Sequence, residues 1–138
     1  PNKEHVNRNY AQTVIDFASA RHTPFRKENP MADNWVRICA ESDLEENWGE
    51  VALVDNHQYA IYKTKHGIFA GDHLDPHSQA LVLARGIVGE KNGNPTITSP
   101  LYKEVYDLTN GECLSDSSYS LKVYPVEVRD GDVYLKTA

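Results

Sequence analysis

His73 and His77 stand four residues apart, with Asp72 and Asp75 beside them. On a helix that spacing would aim both imidazoles the same way, where nitrogen and carboxylate oxygen together can hold zinc or iron. Pro76 argues against such a helix, because a proline ring pushes the preceding residue, Asp75, toward extended geometry. The expectation is a polar loop in which the Asp75 carboxylate takes backbone N–H groups of its own turn by an Asx-type bond. Further along, Ser99-Pro100-Leu101-Tyr102 forms a second loop that offers only a hydroxyl and a phenol. Ferric iron bridged by sulfide is held by thiolate and imidazole, and these two groups supply neither. Cys39 and Cys113 lie far apart, belong to no Cys-x-x-Cys or Cys-x-His pattern, and read as ordinary buried thiols. Gly-x-Ser-x-Gly, Gly-x-Gly-x-x-Gly and Walker loops are all absent from the sequence, which therefore encodes no recognisable nucleophile elbow, nucleotide site or flavin site. Glu45-Glu46 reads as solvated loop rather than an acid/base pair, and an exposed Trp48 beside it would mark a contact surface.

The elements that must position these residues are short and β-rich from Trp35 onward, as in an all-β barrel or sandwich. Residues 51–54 and 58–62 flank Asp55-Asn56-His57, a hairpin-type connection. Lys65-His66-Gly67 supplies the next reversal, ahead of a strand over 68–70. The β-branched run 96–98 leads into the Ser-Pro loop, and 104–108 leads out of it toward Asn110-Gly111. Leu121 and Val123 share one face while Val126 and Val128 share the opposite phase, so the strand must slip or bulge near Pro125. Arg129-Asp130-Gly131-Asp132 then turns the chain into a last strand over 133–135. The Ala/Leu-rich stretch 78–85 is expected to make one or two helical turns.

Residues 1–30 are different in kind. Val6, Tyr10, Val14 and Phe17 fall on one face of a helix expected over 3–21, capped by Asn2 and ended near Thr23-Pro24, with a polar linker running to Pro30. Met31, the only methionine, is the expected natural start of the domain over 31–138. Two readings of the extension stand. It packs back on its own domain or is foreign to the natural chain; or it docks a partner chain, or is the tail of a fused upstream domain.

With 138 residues the chain fits one domain plus this appendage. Its formal net charge of −6, from 20 acidic against 14 basic residues, argues against nucleic acid, which demands a concentrated basic face. No apolar run approaches the ~20 residues a membrane span needs, and no signal peptide is visible, so the expected compartment is the cytoplasm.

Trp35-Val36-Arg37-Ile38-Cys39, Asp75-Pro76, Leu83-Ala84-Arg85-Gly86-Ile87, Ser99-Pro100-Leu101, the turn from Tyr106-Asp107-Leu108 to Gly111-Glu112-Cys113, and Asp130-Gly131-Asp132-Val133 together resemble one family. It is the small subunit of cytoplasmic, assimilatory NAD(P)H-dependent nitrite reductase, a Rieske-like protein, and the resemblance runs from about Trp35 to Lys136. It implies an all-β Rieske-like barrel or sandwich, here with an N-terminal α-helical extension. Rieske proteins hold a [2Fe–2S] cluster on two loops resembling Cys-Pro-His and Cys-Pro-Leu-His. Against those loops Asp75 and Ser99 stand at the cysteine positions, His77 at the first histidine and Tyr102 at the second, so only His77 matches a ligand. The small-subunit branch resembles this loss, which implies no metal, cofactor or catalytic residue on this chain and a fold that stands without a cluster. Ser99 and Tyr102 are then expected to hydrogen-bond across the loops in its place. The resemblance further implies an oxidoreductase in which FAD, a [4Fe–4S] cluster and sirohaem on the large subunit carry electrons from NAD(P)H to nitrite, giving ammonium. The small subunit would bind and stabilise or position that partner, with His73, His77, Tyr102 and Trp48 as candidate contacts. The competing expectation is a Rieske-type [2Fe–2S] electron carrier for an oxygenase or reductase, with unconventional ligands.

Overall fold

A computed structural model describes residues 34–138, and the helix expected over 3–21 and the start expected at Met31 lie outside them. Ten strands follow in order: β1 (Trp35–Ala40), β2 (Gly49–Val54), β3 (His57–Thr64), β4 (Gly67–Asp72), β5 (Ile87–Lys91), β6 (Asn94–Thr98), β7 (Val105–Asp107), β8 (Val123–Tyr124), β9 (Val126–Arg129) and β10 (Asp132–Lys136). They form three antiparallel sheets, β1-β10-β9, β2-β3-β4-β8 and β5-β6-β7.

Local chemistry accounts for the connections. Asp55 and Asn56 both take positive φ, 52° and 68°, which is the mirror-image turn that matches strand twist and favours short polar residues. They join Val54 to His57 as the closing pair, so the connection is two residues long and His57 belongs to β3. Asn92-Gly93 and Asp130-Gly131 repeat the same positive-φ pair between β5 and β6 and between β9 and β10. At Lys65-His66 the Thr64 hydroxyl accepts the His66 N–H at 3.0 Å and donates to the Gly67 carbonyl at 2.9 Å.

The four-stranded sheet is the middle layer and is covered on both faces. Alternation along β3 sends Tyr59 and Ile61 into one core, with Val36, Ile38, Val133 and Leu135, and sends Ala60 and Tyr62 into a second, with Leu83, Ile97, Tyr106 and Leu108. That is why β3 reads as an unbroken buried run from Tyr59 to Tyr62 rather than as an alternating one. Pro125 marks the phase slip seen in the sequence: β8 pairs with β4, β9 pairs with β10, and the chain changes sheets between them. Residues 78–85 make one helical turn, at the lower end of the expectation, and it is of the 3₁₀ type, at Leu83–Arg85. The Val82 and Leu83 amides both donate to the His73 carbonyl, at 3.1 Å each, which takes donors an α-helix would need.

Candidate functional site at the loop tip

The β5-β6-β7 sheet carries a tip made of two loops, residues 73–82 after β4 and 99–104 between β6 and β7. Their anchor is Asp75, which is fully buried. One carboxylate oxygen, Oδ2, accepts from the Ser99 hydroxyl at 2.6 Å and the Ser78 hydroxyl at 3.0 Å. The other, Oδ1, accepts from the His77 N–H at 3.1 Å and the Tyr106 hydroxyl at 3.2 Å. The His77 bond is the Asx turn that the Asp-Pro-His sequence calls for. Burial alone would raise the Asp75 carboxyl, but the donors from Ser99, His77, Ser78 and Tyr106 outweigh it and hold the group below the ordinary aspartate range. The Tyr106 phenol moves up instead, through burial and the charge of Asp75 beside it. Loop two closes on itself through the Ser99 amide, which donates to the Glu104 carbonyl at 2.9 Å.

Above this lock lies an aromatic stack. The His77 ring sits between Tyr102, 4.1 Å away at 22°, and Tyr119, 4.5 Å away at 16°. His77 Nδ1 lies 3.0 Å from Glu104 Oε1, yet neither atom has an aligned hydrogen bond, so the contact is one of proximity. The two loops are thus tied across, as expected, but by different pairings. Ser99 bonds to Asp75 and not to Tyr102, while Tyr102 contributes a ring face.

His73 and Trp48 do not join the tip as surface groups. His73 is buried; its Nδ1 accepts the Ala84 N–H at 3.1 Å, and burial, followed by the charge of Arg85, brings its imidazole down to about 4. It cannot be a partner contact in this fold, because an imidazole that holds the 83–85 turn from inside has no face left for one. Trp48 is half-buried, with the Arg85 guanidinium 5.5 Å from its ring centroid. The solvent face of the tip carries Gln79 and Lys103 but is rich in large apolar groups. Among the described residues, four of the six exposed large hydrophobics belong to these loops or their base: Leu81 at 50%, Ile87 at 73%, Leu101 at 51% and Tyr102 at 59%. Ile87 pairs with Thr98, the residue that enters loop two. Tyr119, Glu104, Tyr106 and Ser78 complete the site and carried no sequence signal; Tyr119 stands in the polar run 115–120, where nothing marks it as a ring that turns back onto the tip.

A [2Fe–2S] cluster does not fit these groups. It would occupy the space between the loops, where Asp75 and Ser99 are in direct hydrogen-bond contact and the His77 and Tyr102 rings touch. The donor set is oxygen-rich where the cluster takes thiolate, and Cys39 and Cys113 lie in separate cores, neither of them on the two loops. Among the described residues no group of three or more His, Cys, Asp or Glu side chains is placed to hold a metal ion. No helix among them is long and apolar enough to cross a membrane.

The family profile described as "Rieske-like [2Fe-2S] domain" matches residues 34–136. The nitrite reductase (NADH) small subunit of Escherichia coli strain K12 is 36% identical over 104 residues, covering 74% of this chain and 96% of that protein. The nitrite reductase [NAD(P)H] large subunit of Klebsiella oxytoca is 32% identical over 101 residues, 73% of this chain but 11% of that protein. Among solved structures, the nitrite reductase [NAD(P)H] small subunit of Erwinia carotovora superposes with a TM-score of 0.65 at 34% identity, covering 78% of this chain and 84% of that one.

Proposed function

We propose a function from one premise: the chain belongs to the Rieske-like [2Fe–2S] domain family, and within it to the small subunits of NADH nitrite reductase. The protein acts as the non-catalytic small subunit of a cytoplasmic NAD(P)H-dependent nitrite reductase that assimilates nitrite to ammonium. Its partner is the large subunit, which supplies the FAD, the [4Fe–4S] cluster and the sirohaem, so this chain needs no cofactor of its own. Its task is to bind that partner and stabilise or position it.

The observation that carries this reading is the pairing of an exposed apolar tip with a rigid base. Leu81, Ile87, Leu101 and Tyr102 present hydrophobic surface that an isolated domain has no reason to expose together. Tyr102 is already stacked on His77, so docking it would cost little further side-chain entropy. Beneath them, the Asp75 hydrogen bonds hold the loop backbones in register without metal. Tyrosine in such a position combines apolar area with a polar end and is a frequent centre of binding energy.

The test is copurification of the two subunits from native extract, with iron measured in the complex and in the separated small chain. Iron is expected in the complex alone, and Tyr102→Ala is expected to weaken association about tenfold or more while leaving the unfolding midpoint nearly unchanged. An unchanged affinity would remove the tip from the interface. A brown, iron-bearing small chain would favour the electron-carrier alternative.

A further inference from the structure

The sequence holds two Asn-Gly pairs, Asn92-Gly93 and Asn110-Gly111. Asparagine before glycine is the pair least hindered in a reaction of the chain with itself, because no β-carbon stands beside the glycine nitrogen to block its approach to the asparagine side chain. The fold treats the two pairs in opposite ways.

Asn110-Gly111 is held shut. The Gly111 amide donates to the Asp107 carbonyl at 2.7 Å, and the Gly111 carbonyl accepts the Leu121 amide at 2.8 Å. The Asn110 side-chain oxygen accepts the Glu112 N–H at 2.8 Å. Gly111 is buried, and the Leu121 carbonyl lies so close that no β-carbon would fit there. Both reacting groups are therefore engaged, and the backbone around them has no room to turn.

Asn92-Gly93 is the reverse. The pair is the whole of the two-residue turn between β5 and β6, closed by Lys91 opposite Asn94, so its own amides lie outside the ladder. Both residues are exposed, as are Gly89, Glu90 and Lys91 before them. Among the described residues none bonds the Asn92 side chain, and nothing beyond the chain neighbours lies within 4 Å of where a β-carbon on Gly93 would stand. β5 is the edge strand of its sheet, so one side of the hairpin has no further strand to hold it. A turn placed in this way opens locally without breaking any core contact.

We propose that Asn92 is a site of spontaneous deamidation in the folded protein, and that Asn110 is protected from it. In the opened turn the Gly93 backbone nitrogen attacks the side-chain carbonyl carbon of Asn92. The new carbon–nitrogen bond closes a five-membered succinimide; the bond to the side-chain nitrogen breaks, and that nitrogen leaves as ammonia with the proton the Gly93 amide gave up. Water then opens the ring at either carbonyl, leaving aspartate or β-linked isoaspartate, and no oxidant or enzyme is consumed. The two products differ in what they do to the fold. Asp130-Gly131 already makes the same positive-φ turn with an aspartate, so the α-linked product keeps the hairpin and adds one negative charge. Isoaspartate puts an extra carbon into the backbone and lengthens the two-residue loop that sets the Lys91–Asn94 closure. This goes beyond the nitrite reductase reading and does not depend on it.

The test ages the full chain in warm, mildly alkaline buffer, digests it at acid pH and compares the peptides holding Asn92 and Asn110, with a parallel sample in urea. In the folded chain Asn92 is expected to gain about one dalton at least about tenfold faster than Asn110, and in urea the two rates are expected to converge through a rise at Asn110. The changed Asn92 peptide is expected to accept methyl groups from S-adenosylmethionine through an isoaspartyl methyltransferase. The corresponding peptide of Asn92→Ser, whose hydroxyl side chain gives no succinimide, is expected to take none. A folded Asn92 that stays unchanged, whether or not the urea sample reacts, would overturn the proposal. So would equal rates at the two asparagines in the folded chain, or a product without isoaspartate, which would mean direct hydrolysis of the side chain.

Discussion

Replacing Asp75 by alanine removes one acceptor from four donors at once, and the structure says which of them suffer. The Ser99 and Tyr106 hydroxyls are buried and lose their carboxylate partner outright, whereas Ser78 is half-buried and can turn to water. A buried polar group left unpaired costs about 1–3 kcal/mol, and removal of a buried charge returns part of that by relieving desolvation. The net loss for Asp75→Ala is therefore about 3–5 kcal/mol, a large share of the roughly 5–15 kcal/mol that holds a domain of this kind together. Tyr106→Phe, which deletes a single donor at 3.2 Å, should cost only about 1 kcal/mol. Urea unfolding followed by Trp35 and Trp48 fluorescence measures both. The pH dependence supplies a second arm. Because the folded carboxyl is held below its ordinary 3.8, its contribution is present above that value and disappears as pH falls through the depressed one. The difference between the parent protein and Asp75→Asn must then shrink as pH is lowered below about 3.8. If Asp75→Ala costs less than about 1 kcal/mol at neutral pH with an unchanged denaturant slope, the carboxylate is not what ties the loops, and the account of a fold that stands without a cluster fails.

Four further outcomes are expected. His73, brought down to about 4 from 6.5, stabilises the fold only while neutral, so up to about 3 kcal/mol should be lost as pH falls between those values, and His73→Gln should flatten that loss in acid titrations. Glu50 works in the opposite sense: burial pushes its carboxyl up to about 7 from 4.5, its favourable form is the protonated one, and Glu50→Gln should gain about 1–2 kcal/mol at pH 8 while changing little at pH 4.5. Gly111→Ala should be among the most damaging single changes, about 3 kcal/mol or more by thermal unfolding, because φ is +83° and a β-carbon there would collide with the Leu121 carbonyl oxygen. Cys39 is buried among apolar side chains, and burial pushes its thiol up to about 12; it should resist a thiol reagent at pH 8 until denaturant is added, and fast native labelling would contradict the packing.

Several reversals could be read from the residues because turn chemistry is local. Asp55-Asn56-His57 and Arg129-Asp130-Gly131-Asp132 each announce one, and the opposed phases of Leu121/Val123 and Val126/Val128 signal a discontinuity at Pro125. What the phase slip could not say was that it is a change of sheet, since that depends on which distant strand offers a free edge. The 78–85 stretch was legible as a helical turn but not as a 3₁₀ one, because the Val82 and Leu83 amides are claimed by the His73 carbonyl. The loop tip was legible as a place but not as an arrangement. Asp75, Ser99, His77 and Tyr102 all belong to it, yet the Ser99 partner is Asp75, the Tyr102 partner is His77, and the second wall of the stack comes from Tyr119. His73 was unreadable because a histidine inside a fold and one on a surface look alike in sequence; only its bond to the Ala84 amide distinguishes them.

The first and last strands lie side by side, with Trp35 opposite Lys136 and Ala40 opposite Asp132. The domain therefore enters and leaves at adjacent strands of one sheet, and the tip loops belong to another part of the fold. A module wired in this way can be appended to a longer polypeptide, or spliced into one, while its loop tip stays undisturbed, because the junction strains neither the hairpins nor the Asp75 lock. Separate subunit and covalently attached domain then become two ways of delivering the same surface, differing only in the local concentration at which it arrives.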